Sequence, residues 1–256
     1  MSEDSMPLTS HLEDLRKRVM HSLLYLMAGF GVCYGFREPL VNLIKLPMNA
    51  HIQIGTSRPF LTVIRQESPY QLYFLSPAEA FWMYLKTAFL AGLCLVLPLV
   101  LWEVWKFVAP GLLEKERKYA IPFVVISTLM FYIGLAFCFL IILPYAMEFL
   151  LGFSQNLVPM ISVGNYVDFC LKFLISFGLV FELPLVILVL TRMGIVTPAT
   201  LARQRKFAVL GAFILAAFLT PTPDAFNQTL MALPIIILYE AGILASRILW
   251  RGDKDG

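Results

Sequence analysis

The chain has 256 residues, of which 59% are hydrophobic and only 14% charged. That is about half the charged share of a soluble domain, and mean hydropathy is +0.77. Soluble one- or two-domain architectures are excluded, because several apolar runs outlast any globular core helix. A net charge of +3 gives no support to nucleic-acid binding. The four cysteines, Cys33, Cys94, Cys138 and Cys170, form no C-x-x-C pair and sit in or beside apolar runs. They read as small membrane hydrophobes, not as a disulfide framework.

A membrane helix needs about 20 apolar residues at 1.5 Å each. Six runs qualify as candidates, at about 19–36, 81–108, 121–143, 166–190, 207–220 and 229–248. The expected fold is an all-α polytopic membrane protein, one membrane domain over residues 1–256, with short fifth and sixth helices. The first run follows Arg16-Lys17-Arg18 as a signal peptide would. No small-residue cleavage site follows, and Glu38-Pro39 comes instead, so it reads as a retained helix.

Basic residues alternate sharply between the connections. One side holds Arg16, Lys17, Arg18, Lys106, Lys115, Arg117, Lys118, Arg192, Arg203, Arg205, Lys206, Arg247, Arg251 and Lys254. The other holds only Arg37, Lys45, Arg58 and Arg65. The positive-inside rule then places both termini in the cytoplasm, and an even helix count agrees.

The first outer loop, about 37–80, is too long for a simple connector and is rich in proline and aromatic residues. A cap with short helices is expected, since Ser76-Pro77-Ala78-Glu79 reads as a helix start. The loop at about 144–165 is apolar and lacks Lys and Arg, so it should lie along the membrane surface. No internal repeat is visible, which counts against a repeat-built transporter. The fifth run covers about 21 Å against about 30 Å of hydrocarbon. Thr220-Pro221-Thr222-Pro223-Asp224 closes it into a tight outer hairpin with the sixth. Pro98, Pro184 and Pro234 should bend their helices, and Pro144 either bends the third or ends it.

Glu182 is the sharpest chemical signal, lying within Phe177-Gly178-Leu179-Val180-Phe181-Glu182-Leu183-Pro184. A carboxylate there costs about 2.5–3.5 kcal/mol on insertion scales and should face the bundle or a wet cavity. It reads either as a polar site for a partner or proton, or as a carboxyl bonded to a kink carbonyl. Asp168 and Lys172 have the spacing of a helical ion pair, and Lys86 reads as a snorkelling lysine. Glu240 falls near the cytoplasmic interface, and Gln228 and Thr229 open the sixth helix. Two acidic spots stand among cytoplasmic basic residues, Glu13-Asp14 and Glu114 with Glu116. They serve as ordinary solvated charge, or as a clamp for a cationic ligand, bidentate if that ligand is arginine. An enzyme is not expected. There is no G-x-S-x-G, no H-E-x-x-H and no metal-ligand spacing, and His11, His21 and His51 lie away from any nucleophile pattern.

In order along the chain, these segments resemble the TatC family of twin-arginine protein translocase subunits. His11-Leu12-Glu13-Asp14-Leu15-Arg16-Lys17-Arg18 resembles its H-L-x-E-L-R-x-R start, and Ser76-Pro77-Ala78-Glu79 its S-P-x-E run. Trp105 to Leu112 and Glu116-Arg117-Lys118 resemble its first cytoplasmic loop. Phe131-Tyr132-Ile133-Gly134, Phe181-Glu182-Leu183-Pro184, and Thr220 to Asp224 with Gln228 follow in register. The resemblance implies a six-helix, curved, glove-like receptor in the bacterial cytoplasmic (inner) membrane. Such a subunit binds twin-arginine signal peptides of folded cargo and recruits TatA- and TatB-type small subunits. Export is driven by the proton motive force, without a cofactor, in a multi-subunit complex with self-association and lipid contact.

Carried over by motif position, Asp14 or its neighbour Glu13, with Arg16, and Glu116 with Arg117 would bind the signal. The family has Glu where this chain has the shorter Asp14. Glu182, Gln228 and Thr229 would form an intramembrane polar site for partners, and Pro221, Pro223 and Asp224 an outer-loop motif. The alternative from another class is a proton-coupled small-solute carrier using Glu182.

Overall fold

The first helix starts well before its apolar run. In the computed structural model, which describes residues 8–54, 61–65, 71–108, 120–152 and 159–251, α1 spans Leu8–Gly35. Its polar first half is carried by ion pairs one turn apart: Glu13 with Lys17 at 3.0 Å and Asp14 with Arg18 at 3.2 Å. Such pairs support helix where no apolar face does. A turn at Phe36 leads into α2 (Arg37–Ile44) and α3 (Leu46–Asn49).

The expected short helices are therefore present in the 37–80 segment. Strands also occur there, which sequence reading did not foresee. β1 (Ala50–Ile54) and β2 (Leu61–Arg65) pair antiparallel, with Ile52 opposite Val63. β3 (Leu72–Tyr73) pairs in parallel with β4 (Ile161–Ser162). The β-branched residues that favour this pairing are too few for a strand period to stand out of an apolar, proline-rich loop.

α4 runs Glu79–Val108 and passes through Pro98 without interruption. The third long helix is α5 (Ala120–Phe137), a π-turn (Cys138–Ile142) and α6 (Leu143–Gly152). Pro144 does not end it. The π-turn just before, closed by the Leu143 N–H on the Cys138 carbonyl, shifts the ladder where proline cannot donate. Residues 144–152, expected in a surface loop, are consequently helical.

The fourth long helix is α7 (Val163–Val180) and α8 (Leu183–Arg192), broken at Phe181-Glu182. The break falls where Pro184, in the first turn of α8, removes a donor. α9 (Pro198–Arg203), α10 (Arg205–Leu219) and α11 (Ala225–Arg251) complete the chain. α10 is short, at 15 residues. The sixth long helix is not: α11 has 27 residues. A capped polar first turn extends it at one end, and helical residues 249–251 extend it at the other.

Among the described residues, four stretches are long and apolar enough to cross a membrane: Glu79–Val108, Ile121–Gly152, Val163–Arg192 and Ala225–Ile248. A fifth is added if Leu12–Gly35 and Arg37–Met48 count together as one broken span.

Packing divides the chain into two compact units, Met1–Phe36 with Ala88–Leu129, and Arg37–Thr87 with Met130–Gly256. In the first, α1 meets α4 backbone to backbone. A Cβ on Gly92 would lie 2.6 Å from the Phe30 nitrogen, and one on Gly29 would lie 2.7 Å from the Gly92 carbonyl oxygen. Small residues permit this approach, as in other membrane helix pairs. Trp105 packs on Phe123 with ring centroids 4.3 Å apart, beside buried Val124.

In the second unit, α5 and α7 interlock through glycine notches. The Phe131 ring fills the space over Gly178, and Phe177 and Phe181 close over Gly134. α8 packs on α11, where Gly242 meets Pro184 and Ile187. The buried Tyr166 hydroxyl donates to the Ile44 carbonyl at 2.9 Å.

Candidate functional site: a buried carboxylate cluster

Sequence reasoning missed Glu103. It lies on α4 inside the second apolar run, and its side chain is only 3% exposed. The Arg18 Nη1 donates to Glu103 Oε2 at 3.1 Å, and the Lys106 Nζ donates to Oε1 at 3.1 Å. His21 Nδ1 stands 3.9 Å from the same Oε2. Arg18 also holds Asp14 through two nitrogens, Nη2 at 3.2 Å and Nε at 3.4 Å. One guanidinium thus bridges two carboxylates from two helices. A charge within an apolar helix is costly unless paired. The signal that singled out Glu182, a lone carboxylate in a membrane run, applied to Glu103 equally.

The cluster separates the two acidic neighbours left open above. Asp14 points into it, whereas Glu13 is exposed and taken by Lys17. Arg16 is exposed. Glu116 and Arg117 lie outside the described residues. From the cluster an apolar trough of about 330 Å³ runs between α1 and α4, along Val19, Leu23, Leu26, Leu93, Val100 and Val104.

The polar residues of the second unit fall at separate levels. Glu182 occupies the α7–α8 break and is half-buried. Its α8 neighbour Pro184 faces Gly242 of α11. Gln228 and Thr229 lie more than a dozen residues earlier on α11, about 20 Å along its axis. Gln228 Nε2 donates to the Phe213 carbonyl at 3.0 Å and so ties α11 to α10. The Thr229 hydroxyl donates to the Ala225 carbonyl of its own helix at 2.7 Å.

Asp224 caps α11. Its Oδ1 accepts from the Asn227 N–H at 2.7 Å, and its Oδ2 from the Asn227 side-chain amide at 2.9 Å. Partial burial works to raise the Asp224 carboxyl, but the hydrogen bonds from Asn227, Thr222 and Phe226 prevail and hold it below its usual value. Pro221 and Pro223 flank Thr222 in that turn.

Three pairings differ from expectation or add to it. Asp168 pairs with Lys86, at 2.7 and 2.8 Å, rather than with Lys172 on its own helix. Lys86, read above as a snorkelling lysine, is an ion-pair partner. Glu240 receives Arg205 in a fork, at 2.7 and 2.8 Å. Glu79 gathers Leu75 N–H, Ser76 N–H, Gly164 N–H and the Ser162 hydroxyl, and so joins the start of α4 to the start of α7. No group of three or more His, Cys, Asp or Glu able to hold a metal occurs among the described residues.

Long apolar helices, interior prolines and paired intrahelical charges define a polytopic α-helical membrane protein. A family model described as Sec-independent protein translocase protein (TatC) matches residues 10–234. The chain belongs to this TatC family, and it is a protein-translocase subunit of the twin-arginine pathway. It is 37% identical to the Sec-independent protein translocase protein TatC of Carboxydothermus hydrogenoformans, over 100% of this chain and 99% of that one. It is likewise 37% identical to the TatC of Koribacter versatilis, over 91% of this chain and 82% of that one. A crystal structure of the twin-arginine translocase receptor TatC in DDM superposes with a TM-score of 0.78 at 33% identity. That match covers 92% of this chain and 99% of the other. The comparisons favour a translocase over a solute carrier.

Proposed function

We propose that the chain is the signal receptor of its translocase and reads twin-arginine signal peptides on the cytoplasmic side. Asp14 and Glu103 would receive guanidinium groups, with Glu116 and Arg117 contributing from the α4–α5 connection. The observation that carries this reading is the buried Glu103 carboxylate, which already accepts a guanidinium shared with Asp14. Arginine's planar fork suits such carboxylates better than lysine's point charge. TatA- and TatB-type subunits would dock on α10 and α11, where Leu210, Ile214, Leu215 and Phe218 are exposed. The complex would sit in the bacterial inner membrane and use the proton motive force.

Purified full-length protein should retain a twin-arginine peptide and release a twin-lysine control. Glu116→Ala should weaken retention about tenfold, the scale of one charge-assisted hydrogen bond. Glu114→Ala should do less. Equal retention of both peptides would remove the receptor reading.

Orientation follows from the charge asymmetry along the chain. A reporter fused after Gly256 should behave as cytoplasmic, and a tag near Gly55 as external. A carboxy-terminal reporter active only outside would overturn both the orientation and the even span count.

A further inference from the structure

The acid pair assigned above to the signal is occupied by the chain's own arginine. Arg18 offers Nη2 and Nε to the two oxygens of Asp14, and Nη1 to Glu103. This is the geometry in which a carboxylate holds an arginine from a ligand. We propose that Arg18 is a resident stand-in for the signal's arginines, and that recognition is an exchange in which two incoming guanidinium groups displace it, one to each carboxylate. The inference rests on the receptor reading and names the residue that competes with the signal for its site.

Glu103 is too buried to stand without its cations, since an uncompensated buried charge is strongly destabilising. Lys106 holds Oε1 and can stay, but Oε2 depends on Arg18. Arg18 therefore leaves only as another donor arrives. It can leave without backbone movement, because its side chain is long and already 25% exposed. Arg18 and Glu103 both line the end of the apolar trough, so an incoming chain can reach them there. Signal peptides place an apolar run after a positively charged stretch, and a charged end followed by a trough fits that order.

The exchange also explains why two arginines would be read rather than one. A single guanidinium now divides its donors between two carboxylates, and its longest contact is 3.4 Å. Two guanidinium groups give each carboxylate its own fork. Two ammonium groups bring the same charge but must displace a bidentate donor without replacing its geometry. Displacing Arg18 costs every ligand the same, so Arg18 lowers all affinities together, and the forks on the two carboxylates make the difference between an arginine pair and a lysine pair.

The test is titration of full-length protein in detergent with labelled peptides carrying Arg-Arg, Arg-Lys, Lys-Arg or Lys-Lys. Arg18→Gln vacates the carboxylates. All four peptides should then bind about tenfold tighter than to wild type, with the order of their affinities kept. Arg18→Lys keeps the charge, loses the fork, and should tighten all four by less. It carries the test alone should Arg18→Gln fail to elute as a folded species. Unchanged or weaker binding of all four peptides by the folded variants overturns the exchange and leaves Arg18 a structural partner. A wild type that does not prefer Arg-Arg at all removes the receptor reading, and the exchange with it. Unchanged affinities in both variants, with the Arg-Arg preference intact, remove the exchange alone.

Discussion

Gly92→Val should be among the most damaging single substitutions in the chain. A Cβ at Gly92 meets three backbone atoms of α1, Phe30 N at 2.6 Å, Gly29 C at 2.8 Å and Phe30 Cα at 2.9 Å. Backbone cannot swing aside as a side chain does, so α1 and α4 must separate. Overpacking of this kind costs about 1–3 kcal/mol and more where nothing gives. Valine adds two further methyl groups, so about 3 kcal/mol is expected. The Asp14–Arg18–Glu103 cluster spans the same two helices, so affinity for a twin-arginine peptide should fall together with thermal stability in detergent. Gly31→Val is the control, because nothing lies within 4 Å of a Cβ there. Similar melting temperatures for the two variants would show that the close approach does not hold the pair together.

Glu182 should act in transport as a hydrogen-bonding group rather than as an obligatory charge. It lies at the α7–α8 break beside Phe181, whose ring packs against Phe137 at 5.6 Å. An ionised carboxylate in such surroundings is costly, whereas a neutral carboxyl both donates and accepts. The proposed partner is a polar side chain on a TatA- or TatB-type helix. Glu182→Gln should then retain most transport of a folded twin-arginine substrate at matched membrane levels. Glu182→Ala should lose about tenfold or more, since the partner's polar group is left unsatisfied in hydrocarbon. A proton-handling role predicts instead that Gln is as damaging as Ala. Complete loss in Glu182→Gln would decide for that role.

The candidate site was only half legible before the fold was known. Asp14 carried a motif and stood among basic residues, so local charge pattern found it. Glu103 carried no motif, and the apolar run around it read as an uninterrupted span. Its role depends on Arg18, eighty-five residues earlier in the chain, and sequence spacing does not encode a contact of that range. Likewise the family resemblance grouped Glu182, Gln228 and Thr229 as one intramembrane polar site. Glu182 lies in the break before α8, and Gln228 and Thr229 stand about 20 Å along α11 from Gly242, which faces the neighbouring Pro184.

Several features needed nothing beyond the sequence. Long apolar runs leave a chain in hydrocarbon no alternative to helices, since every backbone group must be satisfied internally. The membrane class, the short α10 and the proline-closed turn before α11 were therefore readable residue by residue. The tertiary structure decided the rest. It continued the third helix through Pro144 by a π-turn. It gave Asp168 to Lys86 instead of Lys172. It also brought Arg18 between Asp14 and Glu103. In each case the deciding term is where a distant helix places a donor, or lets a ladder shift, and hydropathy along one segment carries no record of that.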